Sequence, residues 1–231
     1  MRGFFNFDGP LFTGLSRMAD MVILNLLFMA CCIPVITIGA SATALSYVML
    51  KMRDGTEGYI ARSFFRAFKQ NFRQATVLWL ILLAASGILF VDFRMASMMQ
   101  GFGWMRVIVV IGAILWAMIT LYVFPLVARF ENTTMNMLRN ALLLALANAP
   151  KTILMIAVLV GAVVITFFNT TTMSYGLLIW FLAGFSVLAW INTRLLYGIF
   201  QKLIPEAPVQ ETPDEEFTIE DEEPGETKKS M

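Results

Sequence analysis

Histidine is absent from this 231-residue chain. That absence removes the commonest general base and the commonest metal ligand. Cysteine is nearly absent: Cys31 and Cys32 are the whole supply, adjacent and inside an apolar run. Neighbouring cysteines of this kind make neither a disulfide framework nor a metal centre, and both read as small apolar residues of a helix. Charge is scarce, with 14% of residues ionised, against about 25% in soluble domains. Acidic residues are the scarcest in the body of the chain, where residues 1–205 hold 15 Lys and Arg but 6 Asp and Glu. The chain also lacks a G-x-x-x-x-G-K loop, a G-x-G-x-x-G turn, an H-E-x-x-H helix and a G-x-S-x-G elbow. No catalytic, cofactor-binding or metal residue is therefore assigned. The chain is not expected to be an enzyme, to carry a cofactor or to bind nucleic acid.

What is present is apolar. Hydrophobic residues make 58% of the chain, with 20 Phe and 16 Met, and the mean hydropathy is +0.73. This composition points to an all-α, polytopic helical membrane protein with five or six spanning segments. Residues 21–50 carry no charge, but Pro34 and Gly39 interrupt them. The reading is a helix over Ser16–Ile33, a broken Pro34–Gly39 link and a second helix over Ala40–Met52, as a hairpin or partly re-entrant pair. Further spans are expected over Thr76–Val91, Val107–Val127, Thr152–Phe168 and Leu177–Ile191. Lys and Arg gather in residues 51–75 and 128–151 and are fewer in 92–106 and 169–176. The first pair of loops is therefore assigned to the cytoplasm, and so is the C-terminus. The first 20 residues hold no apolar core long enough for a cleavable signal.

Two stretches between spans are amphipathic. Arg62, Arg66, Lys69 and Arg73 recur at helical spacing, with Ile60, Phe64, Phe65, Phe68 and Phe72 on the other side. The pattern predicts one interfacial helix over 59–74, aromatics toward lipid and basic heads toward water. It serves as a membrane collar or as a docking face for a partner. Residues 131–147 predict a second such element, with Met135, Leu138, Leu142 and Leu146 on its apolar face. A proline-marked segment, an amphipathic helix and a span thus occur twice, a weak internal repeat. Residues 206–231 hold 10 acidic residues and 2 Lys. They are read as a disordered acidic cytoplasmic tail beyond the 1–205 membrane domain.

Polar residues inside apolar segments are the remaining candidates. Asn25, Thr37 and Asn192 read as interhelical hydrogen-bonding groups. Asn25, Pro34, Thr37 and Gly39 mark candidate functional or packing positions. Asp92, Arg94, Arg129, Glu131 and Arg194 fall near span ends, and no carboxylate is evident near the midplane. This counts against an ion-coupled carrier.

Several stretches together resemble a known family. They are Phe5-Asn6-Phe7-Asp8-Gly9-Pro10-Leu11, Asn25-Leu26-Leu27-Phe28, Ile33-Pro34-Val35-Ile36-Thr37-Ile38-Gly39-Ala40 and Phe64-Phe65-Arg66-Ala67-Phe68-Lys69-Gln70-Asn71-Phe72. Later come Phe124-Pro125-Leu126, Arg129-Phe130 and Arg139-Asn140-Ala141. Over about residues 1–204 the chain resembles the YesL family of bacterial integral membrane proteins, which carry a domain of unknown function. The resemblance implies a multi-pass protein of the bacterial plasma membrane whose genes often lie beside carbohydrate uptake and utilisation genes. It supplies no catalytic residue. The leading expectation is an accessory or scaffold protein for carbohydrate uptake or sensing. Membrane lipid and a carbohydrate permease or sensor component would be its partners. The alternative is a small transporter or channel acting as an oligomer.

Overall fold

The computed structural model describes residues 10–56, 58–98 and 103–203, all in helices and short connections. The proposed tail 206–231 and the Phe5–Gly9 part of the opening motif lie outside these residues. The order is α1 (Pro10–Cys32), a single 3-10 turn (Val35–Thr37), α2 (Ile38–Asp54), α3 (Ile60–Met98), α4 (Gly103–Arg129) and α5 (Thr134–Ala147). Then come α6 (Ala149–Thr166), α7 (Thr170–Ile179), a π turn (Trp180–Gly184) and α8 (Phe185–Leu203). Among the described residues, six helical stretches are long and apolar enough to cross a membrane. The chain is an all-α polytopic membrane protein.

The first apolar run is a helical hairpin. Pro34 ends α1 because its ring disfavours a helical residue before it. α2 closes at Gly55, whose φ of 67° is the left-handed cap that glycine accepts without a Cβ penalty. The turn between α1 and α2 presents Ile33, Val35 and Ile36 outward. It docks on α3, where the Trp79 indole Nε1 donates to the Val35 carbonyl at 2.8 Å.

α3 corrects the expectation of a separate interfacial helix over 59–74. It is one helix of 39 residues, about 58 Å long at 1.5 Å per residue, so its basic half continues directly into its apolar half. The aromatic side of that basic half faces protein as well as lipid. Ile60 and Phe64 are buried in a core shared with Leu24, Phe28, Val48 and Met49, while Phe65 and Phe72 stay exposed. The reason is that α2 runs antiparallel along this stretch and takes one side of it.

α5 leaves part of its expected lipid-facing side open and buries a different row against protein. Met135 and Leu146 are exposed, and the buried positions are Met137, Ala141 and Ala145. α5 packs closely on the preceding helix α4. Ala141 and Ala145, four residues apart, permit that approach beside the buried Met137. The two proposed repeat units also differ: α5 is a separate helix that ends at Asn148, ahead of Pro150, whereas the basic stretch of α3 has no break. A second core joins α3, α4, α5, α6 and α8 through Leu78, Tyr122, Met137, Met155 and Leu196.

Candidate functional site: the hairpin turn and the basic face of α3

Asn25 is fully buried in α1. Its Nδ2 donates to the Trp180 carbonyl at 3.1 Å and the Phe181 carbonyl at 2.7 Å. Its Oδ1 accepts from the Ser186 backbone amide at 3.1 Å. The two carbonyls belong to the π turn and the amide lies just past it, where the helix widens and its carbonyls leave the regular ladder. One amide side chain therefore supplies both kinds of partner that the widened backbone needs. Around this joint Phe28 packs on Phe185, their ring centroids 5.2 Å apart, and Trp180 packs edge-on to Phe185 at 5.0 Å. Nothing in the local pattern of Ile179–Phe185 marks a π turn, so sequence reasoning missed it.

Thr37 is spent on the turn itself. Its hydroxyl lies 2.6 Å from the Cys31 carbonyl and 2.7 Å from the Pro34 carbonyl. It thus covers backbone acceptors left at the end of α1. Gly39 allows a close helix approach: a Cβ there would sit against the Ala75 carbonyl oxygen and 2.6 Å from Trp79 Cβ. Pro34 breaks the helix, Thr37 closes the turn, Gly39 admits α3, and Trp79 clamps the result. These three hairpin positions cluster, whereas Asn25 acts one helix away against the π turn. The third polar candidate differs: Asn192 Oδ1 is buried and makes no hydrogen bond among the described residues.

Arg62, Arg66, Lys69 and Arg73 are all exposed along α3. Arg62 and Arg66 also face Lys51 of α2 across a cavity of about 280 Å³, together with Tyr47, Tyr59 and Ser63. Lys51 Nζ stands 5.9 Å from the centre of the Tyr47 ring. Sequence reasoning found the stripe but missed Lys51, which joins it only because α2 folds back beside α3. Other basic residues are engaged. Arg129 pairs with Asp54 at 2.7 Å, Arg53 lies over Tyr197 at 5.2 Å and Arg194 over Trp190 at 4.0 Å.

A cavity of about 690 Å³ lies among α6, α7, the π turn and α8. Its walls are apolar apart from a few threonines and Tyr175, and neither Asn25 nor Thr37 reaches it. Among the described residues, no group of three His, Cys, Asp or Glu side chains gathers where a metal could be held.

Comparison with known proteins agrees with this picture. The family model "Protein of unknown function, DUF624" matches residues 21–93, which hold the hairpin, Gly39 and the basic face. "Uncharacterized protein YesL" of Bacillus subtilis (strain 168) is 29% identical over 192 residues, covering 83% of this chain and 88% of that protein. No solved structure matches. With the motifs around Pro34 and Phe64, these likenesses support the resemblance to the YesL family, and the matched domain has no assigned function.

Proposed function

We propose that this protein is a non-enzymatic accessory or scaffold component of the bacterial plasma membrane. In this reading it packs against a carbohydrate permease or sensor and presents the basic face of α3 in the cytoplasm, with its C-terminus on the same side. The observation that carries the reading is that face. Arg62, Arg66, Lys69 and Arg73 stand exposed on a helix that continues into the apolar half of α3. A row of cations offers steering and register to an acidic partner surface. Two polar groups of the first apolar run support the same side of the choice. Asn25 and Thr37 satisfy backbone atoms, and neither lines the cavities found between the helices. A transport path would ask such groups to face a solvated route. The assignment to carbohydrate uptake or sensing comes from the family resemblance alone. The cytoplasmic placement comes from the Lys and Arg asymmetry of the short loops.

The test is in-cell crosslinking of the tagged full chain, followed by mass spectrometry of the recovered proteins. Reproducible recovery of a sugar permease or sensor, lost when Lys69 and Arg73 are both replaced by Glu, is the expected result. Recovery of the chain alone as a defined oligomer would overturn the scaffold reading in favour of a transporter or channel. Substrate flux would then be the next measurement.

A further inference from the structure

We propose that the cavity between α2 and α3 is a binding site for a phosphate ester, held by Lys51, Arg62 and Arg66 with Tyr47, Tyr59 and Ser63 around it. The inference stands independently of the scaffold reading.

Three cations converge on this cavity, and no acidic side chain among the described residues lines it. Asp20 lines a neighbouring cavity that shares Gly58 and Tyr59 with this one and is not among this cavity's own lining residues. Asp54, nearby in sequence, is paired with Arg129. Lys51 is accounted for locally, because it lies in the last turn of α2, where the helix dipole favours a cation. Arg62 is not: it sits in the first turn of α3, where the dipole opposes positive charge and favours an anion. Arg66 follows one turn later on the same side. Fold stability alone therefore gives no reason for two guanidinium groups at this helix start. An anion in the cavity would be attracted by the helix terminus and by all three side chains together.

The chemistry of the walls narrows the anion. Arginine forks match phosphate oxygens in a bidentate way, and lysine adds a point charge. Ser63 and the tyrosine hydroxyls supply neutral donors. The cavity volume is about 280 Å³. That is room for a phosphate with a small esterified group and too little for a protein helix. On a membrane protein, a basic pocket between helices on the face rich in Lys and Arg is where an anionic lipid headgroup docks. A soluble phosphate ester presents the same chemistry.

The experiment uses the full chain purified in detergent. The probes are phosphatidylglycerol and phosphatidylcholine, scored by the lipid retained in native mass spectrometry, and inorganic phosphate as competitor. Two double variants remove equal charge from one exposed row: Arg62→Gln with Arg66→Gln inside the cavity, and Lys69→Gln with Arg73→Gln beyond it. The expected result is retention of phosphatidylglycerol over phosphatidylcholine, with the cavity variant weakened about tenfold more than the outer variant. Displacement by inorganic phosphate would assign the site to soluble phosphate esters. Retention against it would assign the site to lipid. Equal weakening in the two variants would overturn the proposal, since it would reduce the effect to general charge. Equal retention of the two lipids, with no effect of phosphate, would overturn it too. Lys51→Gln, on the other helix, provides an independent check and should weaken binding as the Arg62 and Arg66 pair does.

Discussion

Asn25 shows how much one residue can hold in a bilayer. Its side chain serves two carbonyls and one amide of a helix more than 150 positions later. In hydrocarbon no water can replace those bonds. Asn25→Ala should destabilise the purified protein by about 1–3 kcal/mol in thermal or detergent unfolding, the cost of stranding buried backbone groups. Asn25→Asp should be worse, because a carboxylate keeps the acceptor for Ser186 but faces the Trp180 and Phe181 carbonyls with no donor. An aspartate variant as stable as the parent would show that the π turn finds its partners elsewhere. Gly39 makes the complementary point: its value lies in what it lacks, since Ala75 and Trp79 occupy the place of a side chain. Both residues stand out in the sequence as a polar group and a glycine within an apolar run. Neither reveals its partner there, because the partner depends on which helix packs alongside.

At the scale of elements, the breaks were legible where a residue enforces them. Pro34 ends α1, and Pro150 starts α6 at a tolerated position. The join inside α3 was misread because amphipathic and apolar patterns differ, although no Gly or Pro stands between Tyr59 and Ser86. A change of pattern without a breaker changes what a helix touches and leaves its axis intact. The hairpin carries its own prediction. Its turn docks on Trp79, about 20 Å of helix before Asp92 at 1.5 Å per residue, and exposes Ile33, Val35 and Ile36. Such a tip belongs in hydrocarbon. With Cys31 and Cys32 replaced by Ala, a cysteine introduced as Val35→Cys should resist a membrane-impermeant maleimide from either side. Ser97→Cys, exposed near the end of α3, should react from outside the cell. Labelling of Val35→Cys in intact cells would mean that the turn crosses to the outer water.

Across the whole molecule, two cores meet around α2, and Asp54 at its end is tied to Arg129 at the end of α4. Both side chains are partly exposed, at 32% for Arg129 and 20% for Asp54. Asp54→Asn should therefore cost only about 0.5–1 kcal/mol, and the loss should shrink at high salt. Exchange of the two residues, Asp54→Arg with Arg129→Asp, should restore most of it in the same unfolding measurement. A salt-independent loss of several kcal/mol would instead mark the pair as a buried hinge of the fold. The sequence by itself determined the membrane class, the approximate spans, the helix break at Pro34 and the basic row on α3. Each of these follows from local composition or from a residue's own backbone chemistry. Only the tertiary structure decided that Asn25 closes on a π turn, that Phe64 faces protein, and that Lys51 joins Arg62 and Arg66 around one cavity. Those facts depend on which helices lie side by side, and in an apolar chain many pairings bury similar surface, so small residues and a few polar groups make the choice.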